Sequence, residues 1–127
     1  MLFDSHRPQT RYAKLAFYED VIVGSVCCRV DTDIGTGEKK LYIMTLGCLT
    51  PYRGMGLGTQ MLNHILAEGK KDKELKAIYL HVQVSNETAI GFYKKHGFSV
   101  KETKNDYYQK ITPADAHILE YPFVHDE

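Results

Sequence analysis

Glycine occupies every second position from 54 to 58 in the run Arg53-Gly54-Met55-Gly56-Leu57-Gly58. Inside regular structure glycine costs about 0.5–1 kcal/mol relative to alanine, so this density implies that something must approach the backbone closely. The run follows the apolar stretch Leu41–Leu49. It precedes Thr59–Lys71, where Met61, Leu62, Ile65 and Leu66 recur at helical spacing. A glycine-rich turn leading from a strand into a helix presents unpaired backbone N–H groups with the helix dipole behind them, which makes an anion site. A second chemical group lies on Ala77–Val84. Alternation there puts Ile78, Leu80 and Val82 on one face and Tyr79, His81 and Gln83 on the other. His81, with an ordinary pKa of about 6.5, is a candidate base at neutral pH; a structural histidine is the alternative. Tyr42, early in the preceding strand, could meet it. A phenol of pKa about 10 is a poor base alone, so a water held between Tyr42 and His81 is the expected relay.

Familiar anion and metal motifs do not fit. A nucleotide P-loop needs a lysine after its last glycine, but Gly58 is followed by Thr59 and Gln60. The dinucleotide fingerprint G-x-G-x-x-G is not matched by the G-x-G-x-G of Gly54, Gly56 and Gly58. DTDIGTGE (Asp31–Glu38) lacks the ligands and glycine of a calcium loop at the required positions and reads as a hairpin turn. No H-x-x-x-H or C-x-x-C spacing occurs, so no metal is expected. Cys27, Cys28 and Cys48 read as reduced structural thiols.

These groups need a scaffold. Residues 1–11 show no clear period and are expected to be irregular. AKLAFYED and VIVGSVCCRV form a hairpin, and LYIMTLGCL adds a third strand. The helix after the glycine turn is followed by the strand AIYLHVQV. A short helix comes next, capped by Ser85-Asn86 and closed at His96-Gly97. FSVKE, YYQKI and AHILEY complete the sheet. The order β-β-β-α-β-α-β-β, with a parallel crossover from Leu41 to Val84, predicts an α+β fold with a mixed sheet. At 127 residues the chain is expected to form a single domain over 1–127. Lys+Arg and Asp+Glu each number 16, which argues against nucleic-acid binding by bulk charge. No apolar stretch approaches the ~20 residues of a membrane span, and the first residues lack a signal-peptide core. A cytoplasmic, and also nuclear, protein that binds no membrane is the expectation.

R-x-x-G-x-G at Arg53–Gly58 and NETAIGFYKKHGF at Asn86–Phe98 occur in order, with a strand ending in VQVSN between them. In this the chain resembles the GCN5-related N-acetyltransferase (GNAT) superfamily. That family's [QR]-x-x-G-x-[GA] turn binds the pyrophosphate of acetyl-coenzyme A, and its second segment reads N-x-x-A-x-x-F-Y-x-x-x-G-F. LYIMTLGCLTPYR, IYLHVQVSNE and NDYYQKITPADAHIL are further similar to N-alpha-acetyltransferases of the NatE type, and the resembling core runs over residues 12–120. The resemblance implies a GNAT-like, mostly antiparallel mixed sheet flanked by helices. The family's first strand and first helical segment, which carry part of a peptide-binding loop, are expected to be lacking, because only about a dozen residues precede the hairpin.

By resemblance, Tyr42 and His81 are the catalytic pair. Acetyl-coenzyme A, as cosubstrate without a metal, is held by Leu46, Cys48, Arg53, Gly54, Met55, Gly56, Leu57, Gly58, Asn86 and Tyr93. Gly54 stands where relatives carry a second basic residue, which implies a weaker phosphate contact. Met44, Tyr107 and Tyr108 line the peptide site. Simpler readings remain beside these. Asn86 is explained by its helix cap, Tyr93 by a core position at helical spacing, and Tyr107 and Tyr108 by strand propensity.

The acceptor is narrowed by a magnitude. At pH 7 an α-amine of pKa 7.7–8.0 is about 10–15% neutral, against about 0.04% for lysine. The magnitude favours the N-terminal α-amine, and the NatE resemblance then implies acetyl transfer to nascent proteins that retain methionine before an apolar residue. The resemblance also implies docking on the ribosome-associated NatA complex. The alternatives are a lysine N-epsilon-acetyltransferase, whose expected acidic base is absent from Tyr79–Asn86, and a non-catalytic acetyl-CoA-binding subunit.

Overall fold

The structure is a computed structural model that describes residues 2–4, 12–18, 21–48, 56–104 and 115–125. In chain order the elements are β1 (Leu2–Asp4), β2 (Ala13–Tyr18), β3 (Val21–Thr32), β4 (Lys39–Cys48), α1 (Leu57–Lys70), β5 (Leu75–Gln83), α2 (Glu87–Lys95), β6 (Ser99–Lys104) and β7 (Ala116–Pro122). They build one seven-stranded sheet in the order β1-β2-β3-β4-β5-β7-β6. Only β4 and β5 run parallel among these neighbours, as the crossover through α1 requires. The mixed, mostly antiparallel α+β fold is thus observed.

One detail departs from expectation. The first eleven residues are not wholly irregular, because Leu2–Asp4 pair antiparallel with Leu15–Phe17 as an edge strand. Three residues are shorter than any period that a sequence pattern could reveal. AHILEY becomes β7 and inserts between β5 and β6, antiparallel to both. YYQKI lies outside the described residues.

α1 faces the sheet with Leu57, Met61, Leu62, Ile65 and Gly69, a stripe at helical spacing in which each residue is buried. Leu41, Ile43, Ile78, Leu80 and Leu119 from β4, β5 and β7 meet that stripe, and no polar or charged residue is buried among the described residues. Gly69 has no room for a side chain, since a Cβ there would come 2.6 Å from Phe123. Phe123 in turn donates its backbone N–H to Lys76 O at 2.9 Å, tying the end of the chain to β5. The β3–β4 hairpin turns on Asp33, whose Oδ1 accepts from the N–H groups of Gly35 and Thr36 at 2.8 and 3.1 Å. Among the described residues no helix is long and apolar enough to cross a membrane.

Candidate functional site

β4 and β5 pair only as far as Tyr42↔Tyr79, although β4 continues to Cys48 and β5 to Gln83. Beyond that rung the two strands share no ladder, and a cavity of ≈ 330 Å³ lies between them. Ile43, Met44 and Leu46 line one wall and Leu80, His81 and Gln83 the other. A bulge helps shape it. The β3–β4 register passes from Cys28↔Ile43 to Cys27↔Thr45, so Met44 has no rung of its own and stands 43% exposed at the cavity.

His81 lines this cavity, and Tyr42 stands beside it, with Tyr42 Oη 3.1 Å from His81 Nδ1. The two groups are in direct hydrogen-bond contact. The parallel register sets Tyr79 beside Tyr42, and His81, two residues on and on the same face, falls within reach of the phenol. Burial lowers the His81 pKa from its ordinary value, and the Lys104 charge adds to this while Glu102 opposes it. The ring is therefore neutral, and able to take a proton, at pH 7.

A second cleft of ≈ 770 Å³ adjoins the first, sharing Leu46, Asn86, Ala89 and Tyr93 with it. Its floor is the amino end of α1. Gly56 precedes the helix with φ 80, a left-handed conformation suited to glycine, and supplies no side-chain cap. No acidic residue stands in the first turn, so the leading N–H groups face the cleft with the helix dipole uncompensated. At Gly58 a Cβ would lie 3.4 Å from Phe92 and 3.8 Å from Leu46, at the lining of the cleft. A concave, glycine-walled cradle of this kind suits a diphosphate. Leu57 contributes only backbone here, since its side chain is 1% exposed within the core.

Asn86 Oδ1 caps α2 by accepting from Ala89 N–H at 3.1 Å, and the residue also lines both cavities. Tyr93 stands at the junction of the two cavities, only 6% exposed. Burial, with the neighbouring Cys28, pushes its phenol up to about 12. Arg53, Gly54, Met55, Tyr107 and Tyr108 lie outside the described residues, as does the side chain of Cys48.

Several residues that line or border the site carry no sequence signal for it. Thr59, Thr88 and Lys95 line the larger cleft, Lys95 bringing a positive charge. Tyr79, on the same face as His81, packs against Tyr42 with ring centroids 4.9 Å apart. Arg29 lies over the Tyr42 ring itself, its Cζ 5.0 Å from the centroid. The i, i+2 spacing of Arg29 and Asp31 on a strand was the one available hint that both share a face with this group. Among the described residues no cluster of His, Cys, Asp and Glu is placed to hold a metal ion.

Comparison with known proteins agrees with this geometry. Residues 2–98 match the model of the acetyltransferase (GNAT) family. N-alpha-acetyltransferase 50 of Danio rerio is 59% identical over 108 residues, covering 85% of this chain and 63% of its own length. The probable N-acetyltransferase san of Drosophila melanogaster is 54% identical over 108 residues, covering 85% of this chain and 58% of its own. The chain thus spans about three fifths of the length of these curated relatives. The solved structure of Arabidopsis thaliana Naa50, in complex with the bisubstrate analogue CoA-Ac-MVNAL, superposes with a TM-score of 0.80 at 45% identity, covering 89% of this chain and 74% of that one. A sheet opened between its two parallel strands, a glycine turn at the opening and a family match across most of the chain agree: the protein belongs to the GNAT acetyltransferase family.

Proposed function

We propose that this chain transfers the acetyl group of acetyl-coenzyme A to the N-terminal α-amine of proteins that retain methionine before an apolar residue. The observation that carries this reading is the continuity of the site. The cleft at the uncapped end of α1 runs through shared walls into the cavity lined by His81, whose ring Tyr42 touches. Acetyl-coenzyme A supplies an activated acetyl thioester. The first-turn N–H groups of α1, with Arg53 and Lys95, hold its phosphates. Leu46, Cys48, Met55, Asn86 and the glycines 54, 56 and 58 shape the path of its arm. The amine nitrogen bonds to the acetyl carbon as the carbon–sulfur bond breaks, and the electron pair leaves on sulfur. His81, neutral at pH 7, accepts the amine proton, with Tyr42 orienting the ring or passing the proton on.

Tyr93 is assigned a narrower role than that of an acid. Burial raises the phenol, so it stays protonated at neutral pH and has a hydrogen to share with the sulfur rather than a proton to give up. Tyr93 therefore stabilises the departing sulfur by donating a hydrogen bond. Met44, with Tyr107 and Tyr108, contacts the acceptor. The Arabidopsis relative, bound to an analogue whose peptide begins Met-Val, supports methionine before an apolar residue. The same proposal places the chain with nascent proteins in the cytoplasm, and in the nucleus as well, and docks it on the larger NatA complex.

A peptide beginning Met-Leu and containing one internal lysine, incubated with the chain and acetyl-coenzyme A, tests this by fragmentation mass spectrometry. Acetyl on the α-amine is expected, falling at least about 100-fold in His81→Ala. Label confined to the lysine would overturn the specificity. Binding of coenzyme A without any label would make the chain a cosubstrate-binding subunit.

A further inference from the structure

Asp31 makes two side-chain contacts, one along its own strand and one across the sheet. Its Oδ2 accepts from Tyr79 Oη at 2.7 Å and its Oδ1 from Arg29 Nε at 2.9 Å. Asp31 lies on β3 and Tyr79 on β5, so the first bond spans β4 entirely, a lateral distance of two strand spacings, about 9.5 Å. The simplest ion pair for Asp31 would be its cross-strand neighbour Lys40, but Lys40 Nζ is drawn 2.8 Å from Glu120 instead. Both partners of Asp31 are residues that touch the Tyr42 ring. Arg29 is the cross-strand neighbour of Tyr42 on β3 and Tyr79 its neighbour on β5. The guanidinium lies 5.0 Å from the ring centroid and the Tyr79 ring 4.9 Å away.

We propose that Asp31 is a positioning residue, which anchors Arg29 and Tyr79 on one carboxylate so that together they hold the Tyr42 ring against His81. This rests on the reading of Tyr42 and His81 as the proton-accepting pair. The geometry is that of a clamp: two jaws on the flanking strands, one hinge point above β4, and the phenol between them. Burial and the Asp31 carboxylate push the Tyr79 phenol above its ordinary range, so it stays protonated and keeps donating. Arg29 contributes a cation near an aromatic face, and its bond to Asp31 fixes where that cation sits.

The test is an NMR titration of His81 in the intact chain, which needs no turnover. Four forms are compared: wild type, Asp31→Asn, Tyr42→Phe and the double variant. Lys104 and Glu102, the other charges that act on His81, are the same in all four. The expected result is that Asp31→Asn moves the His81 midpoint in the same direction as Tyr42→Phe, and moves it no further when Tyr42 is already Phe. Tyr79→Phe, which keeps the ring and the Asp31 charge and removes only the hydroxyl, should reproduce part of the shift. An equal displacement by Asp31→Asn in both backgrounds would mean a direct effect of charge and would overturn the proposal, as would no displacement in either. Kinetics add a second reading: Asp31→Asn should lower kcat about tenfold with KM for acetyl-coenzyme A unchanged, and lose nothing more in the Tyr42→Phe background. A wild-type chain that acetylates no α-amine sinks the acetyltransferase reading alone, because the titration still decides whether Asp31 acts through Tyr42.

Discussion

His81 is where the acid–base behaviour of the molecule concentrates. Its pKa is lowered chiefly by burial, so in the folded chain the imidazole protonates only at pH values below its ordinary 6.5. Two ionisations should therefore appear in kcat/KM. Below about 7.7–8.0 the acceptor amine protonates and the rate falls tenfold per pH unit; below the His81 pKa a second proton is involved and the fall steepens to a hundredfold. In His81→Ala only the first limb should remain, and a steep second limb surviving in that variant would exclude His81 as the base. Stability carries the same sign. The unfolded chain, with the higher histidine pKa, takes up the proton first, so the fold loses stability as pH drops through about 6.5 towards the lower folded value. Alternation along Ala77–Val84 was enough to place His81 on the face of Tyr79 and away from Leu80. The direct contact with Tyr42 was not legible, since it depends on the register between two parallel strands separated in sequence by a whole helix. Asp31 was further out of reach, because its contact with Tyr79 passes over an intervening strand.

Among the elements, the glycine turn and α1 form the most readable unit, as the spacing of Met61, Leu62 and Ile65 and the run of alternating glycines both announce it. Its first residue in the described structure makes a sharp case. Gly56 holds φ 80, and a Cβ there would meet nothing within 4 Å. Gly56→Ala should thus cost about 1–2 kcal/mol through backbone conformation alone. Because that conformation aims the first N–H groups of α1, KM for acetyl-coenzyme A is expected to rise several-fold while kcat changes little. A drop in kcat at constant KM would show that the turn does not hold the cosubstrate. Other elements left weaker traces. The strand Leu2–Asp4 is too short for a period, and nothing local to Ala116–Pro122 tells it to enter between β5 and β6 rather than extend the edge. Gly69 has the same character: its reason is Phe123, more than fifty residues away, whose ring fills the space of a side chain.

For the whole molecule, the proposed function turns on a ligand that enters between strands. Acetyl-coenzyme A at a hundredfold excess over its dissociation constant should stabilise the chain by about 2.7 kcal/mol. For a domain of this size that corresponds to a rise in Tm of roughly 8–13 °C, readable by differential scanning fluorimetry. No shift at saturating cosubstrate would refute the assignment of the cleft.

The short ladder between β4 and β5 gives that stabilisation a further meaning. Among the described residues, the strands β1 to β4 and the trio β5, β7 and β6 are joined by backbone pairing only at the rungs that end at Tyr42 and Tyr79, with α1 laid across the seam. A cosubstrate lodged above those rungs would act as mortar between two half-sheets. Its supply and the lifetime of the protein would then be linked: a chain deprived of coenzyme A in either form would be looser and more open to proteolysis, so that its amount would follow the supply of the proposed ligand.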